Sequence, residues 1–312
     1  MSEIFSARDG YGVALKELGA EREDIVVLDA DLSCATMTSG FATEFPDRFY
    51  NMGISEQDMV GTAAGLAMTG KVPFASTFAL FLAGRAYDQV RNAVAYPKLN
   101  VKLVASHCGL MVGRDGASHQ SFEDISLMRS VPNMMVISPG DYFSTQVLIK
   151  QIAEYDGPVF CRVSRLKTVP VYTREEAKGL VLGKANVFRK GSRVALFTHG
   201  ILLKECMEAL PVLKNLGITP TIVDVHTIKP LDQETIVKVA ESHDILISIE
   251  DHSVLGGLGT AIAEALCKEG IGKKLKKLGM QDTFGESGDE ALLLRKYGMD
   301  ALAIIDCVKE SL

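Results

Sequence analysis

The sequence has no tryptophan and only 7% aromatic residues, so any ring stacking it does must rest on a few phenylalanines, tyrosines and histidines. No apolar run approaches the length of a membrane span. The first residues, MSEIFSARDG, lack a basic stretch followed by an apolar one, and the chain is therefore expected to work in the cytoplasm, away from membranes. There is no dense basic cluster: 33 lysines and arginines stand against 39 acidic residues, for a formal charge of -6, which argues against a nucleic-acid partner. The six cysteines (Cys34, Cys108, Cys161, Cys206, Cys267 and Cys307) show no CxxC spacing. They read as reduced, mostly buried thiols, and no metal-ligand spacing joins them to the histidines.

What is present is a long alternation of short apolar runs and amphipathic stretches. Over 312 residues with 47% hydrophobic content, that pattern predicts an α/β chain of two doubly wound domains, with mostly parallel sheets covered by helices. The first is expected over residues 1–170. A crossing at 171–190 follows, where Pro170 and the run TREEAK interrupt the pattern. The second, at 191–312, is built from VALFTHG, TIVDV and ILISIED, each leading into a helical pattern.

Polar residues and glycines crowd where the first domain's strands end, in LDADLS, NMGISEQ, ASTFALF and ASHCGLMVGRDGASHQSFED. Ligands of α/β domains bind at such ends. Ser55 is expected to cap a helix, with Asp58 completing a capping-box-like pair, which places Glu56 in the first turn. There Glu56 is either an acid that satisfies the helix dipole or a functional carboxyl. A helical turn would put Phe78 and Phe81 on one face, as core packing or as a ring platform. His107, Asp115 and His119 share one loop, in which a lone histidine is often merely solvated. Asp31 either caps its own turn or reaches a ligand. The cluster GGLG at 256–259 reads as tight strand-helix packing rather than a phosphate loop.

The segments GISEQDMVGTAAGLA, FASTFALFLAGRAYDQVRNA and SHCGLMVGRDGASHQSFEDISLMRSVP resemble successive motifs of the transketolase pyrimidine-binding domain. DVHTIKPLD and EDHSVLGGLGTAIAEAL resemble the transketolase C-terminal domain. The resemblance implies thiamine diphosphate as cofactor. It also implies a partner chain, because transketolases hold the diphosphate and its metal with a GDG motif that this sequence lacks. An N-terminal diphosphate-binding subunit would then hold Mg2+ or Ca2+, and two such pairs would form a heterotetramer.

By the same resemblance Glu56 activates the cofactor, its proton retained by burial in an apolar cleft. Phe78 and Phe81 pack the pyrimidine, and Asp31 lies near the cofactor. His107, Asp115 and His119 contact the substrate's phosphate, C2 hydroxyl and C1 region respectively. Arg8 and Arg165 take its anionic end, a sugar phosphate or similar group. Two family positions are not matched in register. Gly84, Arg85 and Tyr87 stand where a third aromatic is common, and Ala35 and Thr36 stand near an expected pocket hydroxyl. The rival resemblances are to deoxyxylulose-phosphate synthase, through YDQV and the SHQ segment, and to the beta subunit of 2-oxoacid dehydrogenases. A catalytically silent half of the same fold is the non-enzymatic alternative.

Overall fold

The computed structural model describes residues 3–312. In its first domain the strands are β1 (Ile25–Asp29), β2 (Phe49–Asn51), β3 (Val72–Phe78), β4 (Lys102–Ser106), β5 (Met135–Ile137) and β6 (Val159–Val163). All of them pair in parallel with one another. Except for β2 they are buried along their whole length, as strands with helices on both faces must be. Alternate residues serve opposite faces. Val27, Phe74 and Val104 pack with the helices Ala7–Glu21 and Tyr142–Glu154. Leu28, Ala75 and Leu103 pack with the helix Glu56–Met68 and with residues 82–95.

The second domain contributes β7 (Asn186–Arg189), β8 (Arg193–Thr198), β9 (Thr221–Asp224), β10 (Thr227–Lys229), β11 (His243–Ser253) and β12 (Leu275–Met280). Its own sheet has the order β12-β11-β8-β9-β7. The expected crossing at 171–190 is itself folded. Thr173 and Glu176 form a capping box for the helix Arg174–Lys178, and β7 pairs antiparallel with β9. β10 leaves its own sheet and pairs antiparallel with β5, completing a seven-stranded sheet of order β10-β5-β6-β4-β3-β1-β2. The Lys229 ammonium reinforces this crossing by donating to the carbonyls of Arg129, at 2.8 Å, and of Val131. Both domains share a contiguous hydrophobic core that includes Val163, Tyr172, Leu196 and Ile222.

Two local expectations need correction. Ser55 occupies the N-cap position, but its ψ of 67° lies outside the extended region and its side chain makes no cap hydrogen bond. The stretch after Phe78 is not one α-helix. It runs through π-helical turns at Phe81–Arg85 and Val90–Ala95 on either side of the short helix Tyr87–Gln89. The GGLG cluster is close packing: a Cβ on Gly257 or Gly259 would overlap Glu250 or Ser248. The amides of Leu258 and Gly259 donate to the internal Glu250 carboxyl at 2.6 and 3.0 Å. Among the described residues no helix is long and apolar enough to cross a membrane.

Candidate active site

Parallel strands bring their C-terminal ends to one edge of the sheet. Asp29 on β1 lies opposite Asn51 of β2 and Ser76 of β3, and Phe78 lies opposite Ser106, which lies opposite Val163. The residues that follow these ends, among them Glu56, Phe81, His107 and Arg165, therefore gather at one place. Arg8 arrives from the other side. Ser6 and Asp9 form a capping box at the start of the helix Ala7–Glu21, and the bridge between Phe5 and Thr168, with the Arg8 amide donating to Ser164 at 3.2 Å, seats that start beside the end of β6.

A continuous set of contacts results. Glu56 is 1% exposed. Arg85 donates through Nη1 to both of its carboxylate oxygens, at 2.9 and 2.8 Å. The cleft is thus not purely apolar as expected. The Arg85 guanidinium also lies 4.2 Å above the Phe81 ring. Phe81 stacks on Phe78 with centroids 5.9 Å apart, and Phe78 stacks on His107 at 3.8 Å. His119 meets the Phe81 ring edge-on at 5.3 Å. The two phenylalanines do not share a helical face as expected, since Phe78 ends β3 and Phe81 opens a π-turn; the sharp strand-to-turn bend stacks them instead.

His107 sits in the left-handed region at φ +53°, between the Ser106 hydroxyl at 3.0 Å and Arg8 Nη1 at 3.4 Å. A guanidinium only donates, so Nε2 accepts from Arg8, and Nδ1 carries the proton and donates to Ser106. Burial, then the charges of Arg8, Arg165 and His119, push the imidazole down to about 3. The positive charge here therefore belongs to Arg8 and Arg165. Arg8 is oriented by the Ala35 carbonyl at 2.7 Å. Arg165 is oriented by Asp115 at 3.2 Å and by Glu290 at 3.7 Å. Since the ring gains its proton only well below the ordinary histidine value of about 6.5, its NMR ring-proton shifts should stay flat from about pH 5 to about pH 8. A titration midpoint near 6.5 would contradict this assignment.

Asp31 stands outside this set of contacts. It is exposed, has φ +64°, and among the described residues takes only the Asn51 side-chain amide, at 3.0 Å. Its neighbour Asp29, which sequence reasoning passed over, organises the loop: its buried carboxylate accepts from the Leu32 amide at 2.6 Å and from the hydroxyls of Thr36 at 2.6 Å and Thr38 at 2.9 Å. Thr36 is thereby committed to Asp29 and is buried, away from the pocket. Tyr87 packs half-buried against the core on the Glu56 helix side. The Asp-x6-Thr-x-Thr spacing was the available signal for Asp29; nothing in the sequence marked the pairing of Arg85 with Glu56.

The loop carrying His107, Asp115 and His119 is held by the second domain. Asp251 accepts from the Leu110 amide at 2.8 Å, the Ser253 amide donates to Phe122 at 2.9 Å, and Gln120 donates to the Glu286 carbonyl at 3.0 Å. Gly109, at φ +62°, must be glycine because a Cβ there would overlap the Asp251 carboxylate.

The cofactor implied by the resemblance can be tested against these residues. An aminopyrimidine needs a carboxyl at one ring nitrogen and an aromatic wall, and the buried Glu56 beside the stacked Phe78 and Phe81 offers both. The residues fit the pyrimidine half. Among the described residues, no three His, Cys, Asp or Glu side chains converge as a metal-ligand set.

Comparison with known proteins agrees with this geometry. The family model for the transketolase pyrimidine binding domain matches residues 4–170, and that for the transketolase C-terminal domain matches residues 183–304. A protein of Methanocaldococcus jannaschii, described provisionally as a transketolase C-terminal section, is 49% identical over 98% of this chain and 96% of its own. The 6-deoxy-6-sulfo-D-fructose transketolase subunit SqwH of Clostridium sp. (strain MSTE9) is 38% identical over 97% of this chain and 93% of its own. A solved structure described as a split-gene transketolase, an inactive β4 tetramer, superposes with a TM-score of 0.91 at 44% identity, covering 99% of this chain and 98% of that one. Deoxyxylulose-phosphate synthases match as well: that of Caldanaerobacter subterraneus subsp. tengcongensis is 36% identical over 97% of this chain, which spans 48% of that protein.

Proposed function

The chain belongs to the transketolase family, and on that premise we propose that it is one half of a split, thiamine-diphosphate-dependent transketolase. In this reading it transfers a two-carbon ketol unit from a ketose phosphate to an aldose, and it does so only with a subunit that binds the cofactor's diphosphate and its Mg2+ or Ca2+. Two such pairs form a heterotetramer in the cytoplasm. The observation that carries the reading is that Glu56, Phe78, Phe81, His107, His119, Asp115 and Arg165, which follow separate strand ends, and Arg8, from a helix start, meet at one edge of the sheet. The likeness to a split-gene transketolase whose β4 tetramer is described as inactive supports the dependence on a partner.

When bound, thiamine diphosphate supplies a carbon nucleophile for the ketose carbonyl. Glu56, shielded from water, would hydrogen-bond the pyrimidine ring nitrogen with its carboxyl and share a proton there. Phe78 and Phe81 would fix the ring by packing. The neutral His107 would offer its Nε2 lone pair to a substrate hydroxyl once Arg8 turns towards the anion. His119, whose Nδ1 lies 3.0 Å from the Ser118 hydroxyl, keeps Nε2 for the C1 region, and the partly exposed Asp115 accepts a second hydroxyl. Asp31, which lies apart from this set, would at most border the cofactor.

Arg8 and Arg165 carry the anion's recognition. Replacing either by glutamine should raise KM for a phosphorylated donor by about tenfold to a hundredfold, the worth of one charge-assisted hydrogen bond, and leave KM for an unphosphorylated sugar nearly unchanged. Equal losses for both donors would contradict that role. A second reading, half of a deoxyxylulose-phosphate synthase, draws on the YDQV and SHQ segments and on relatives of that class. Assays of the assembled pair separate the two. Ketol transfer between sugars without release of CO2 from pyruvate is the expected result, and pyruvate decarboxylation in its place would favour the second reading.

A further inference from the structure

Arg85 does on Glu56 and Phe81 what a protonated aminopyrimidine would do. It is a flat cation that stacks on an aromatic face, 4.2 Å from the Phe81 centroid, and it donates N–H bonds to a buried carboxylate at 2.8 and 2.9 Å. The Glu56 side chain is 1% exposed and that of Arg85 is 46% exposed, so the guanidinium lies between the carboxylate and solvent. Gln57 ties the Arg85 backbone to the same helix, its Nε2 donating to the Arg85 carbonyl at 3.1 Å. A Cβ on Gly84 beside it would meet nothing nearer than the Leu80 side chain at 4.0 Å. The side chain can therefore swing away while its backbone stays fixed.

We propose that Arg85 is a placeholder for the cofactor's pyrimidine: it satisfies Glu56 and covers Phe81 in the unloaded chain, and it must leave when the cofactor binds. The placeholder keeps a buried carboxylate paired until assembly, at a cost in cofactor affinity, since binding must first break the contact. This inference rests on the thiamine-diphosphate reading above.

The test is calorimetric titration of thiamine diphosphate with magnesium into the assembled enzyme, comparing wild type with Arg85→Met, which keeps the apolar stem, and with Arg85→Gln as a second, polar replacement. The expected result is binding tightened about twofold to fivefold in both variants, the worth of one half-exposed arginine-carboxylate contact. Binding that is unchanged or weakened in the variants, with wild type binding normally, would overturn the placeholder while leaving the enzyme reading intact. No binding by wild type or by either variant would remove both.

Discussion

Glu56→Gln should leave the assembled protein folded and nearly abolish ketol transfer, lowering kcat by about 10²- to 10⁴-fold, the usual worth of a general acid-base group. Glutamine preserves the volume at a site that is 1% exposed, and its amide still meets Arg85 through the carbonyl oxygen. What it lacks is a proton to share with a ring nitrogen. The loss should therefore fall on kcat rather than on KM for either sugar. Thermal unfolding of this chain alone should shift little, because the pair that is weakened is half exposed on the arginine side. A variant that keeps turnover within about tenfold of wild type would show that another group performs this proton transfer.

The largest effect on stability is expected away from the chemistry, where the two domains meet. Arg162 and Asp124 are 2% and 0% exposed, and Nε donates to Oδ2 at 2.8 Å. Burial alone would push the guanidinium down, but the neighbouring Asp124, Cys108 and Asp251 raise it above its ordinary value. Asp251, pushed up to about 6 by burial against the pull of Arg162, also receives the Leu110 amide of the loop that carries His107 and His119. Asp124→Asn removes the one carboxylate that pairs directly with the buried cation, leaving it the carbonyls of Ser121 and Asp251 and the more distant charge of Asp251, and should cost about 3–5 kcal/mol. Replacing both partners, as in Asp124→Leu with Arg162→Met, should cost much less than the sum of the single changes. Denaturant unfolding of wild type, Asp124→Asn, the two single replacements and the double variant checks this, and single variants within about 1 kcal/mol of wild type would show the pair to be dispensable.

The parts of this architecture that were legible in the sequence are those encoded locally. Apolar runs such as IVVLD and KLVAS are strands wherever helices cover both faces, and chemistry-bearing residues just beyond their ends converge because the strands are parallel. What escaped is nonlocal. β10 has only three residues, and its partner β5 lies about ninety residues earlier, so no period in the sequence marks it. The folded crossing at 171–190 escaped because Pro170 and charged residues look like a linker, whereas Thr173 and Glu176 cap a real helix. Thr36 stands near the expected pocket hydroxyl without matching it in register, and Asp29 at the end of β1 claims its hydroxyl. Ser55 has the right residue type for a cap and the wrong ψ. Arg85 falls in a stretch that matches no family position in register; its meaning depends on a buried carboxylate 29 residues away.

The central claim, that this chain supplies the pyrimidine half of a shared site, is tested most directly by titrating thiamine diphosphate with magnesium into the chain alone and into an equimolar mixture with the diphosphate-binding subunit. The account predicts tight, saturable binding and ketol transfer in the mixture, and neither in the chain by itself. Tight binding and turnover by this chain alone would contradict it.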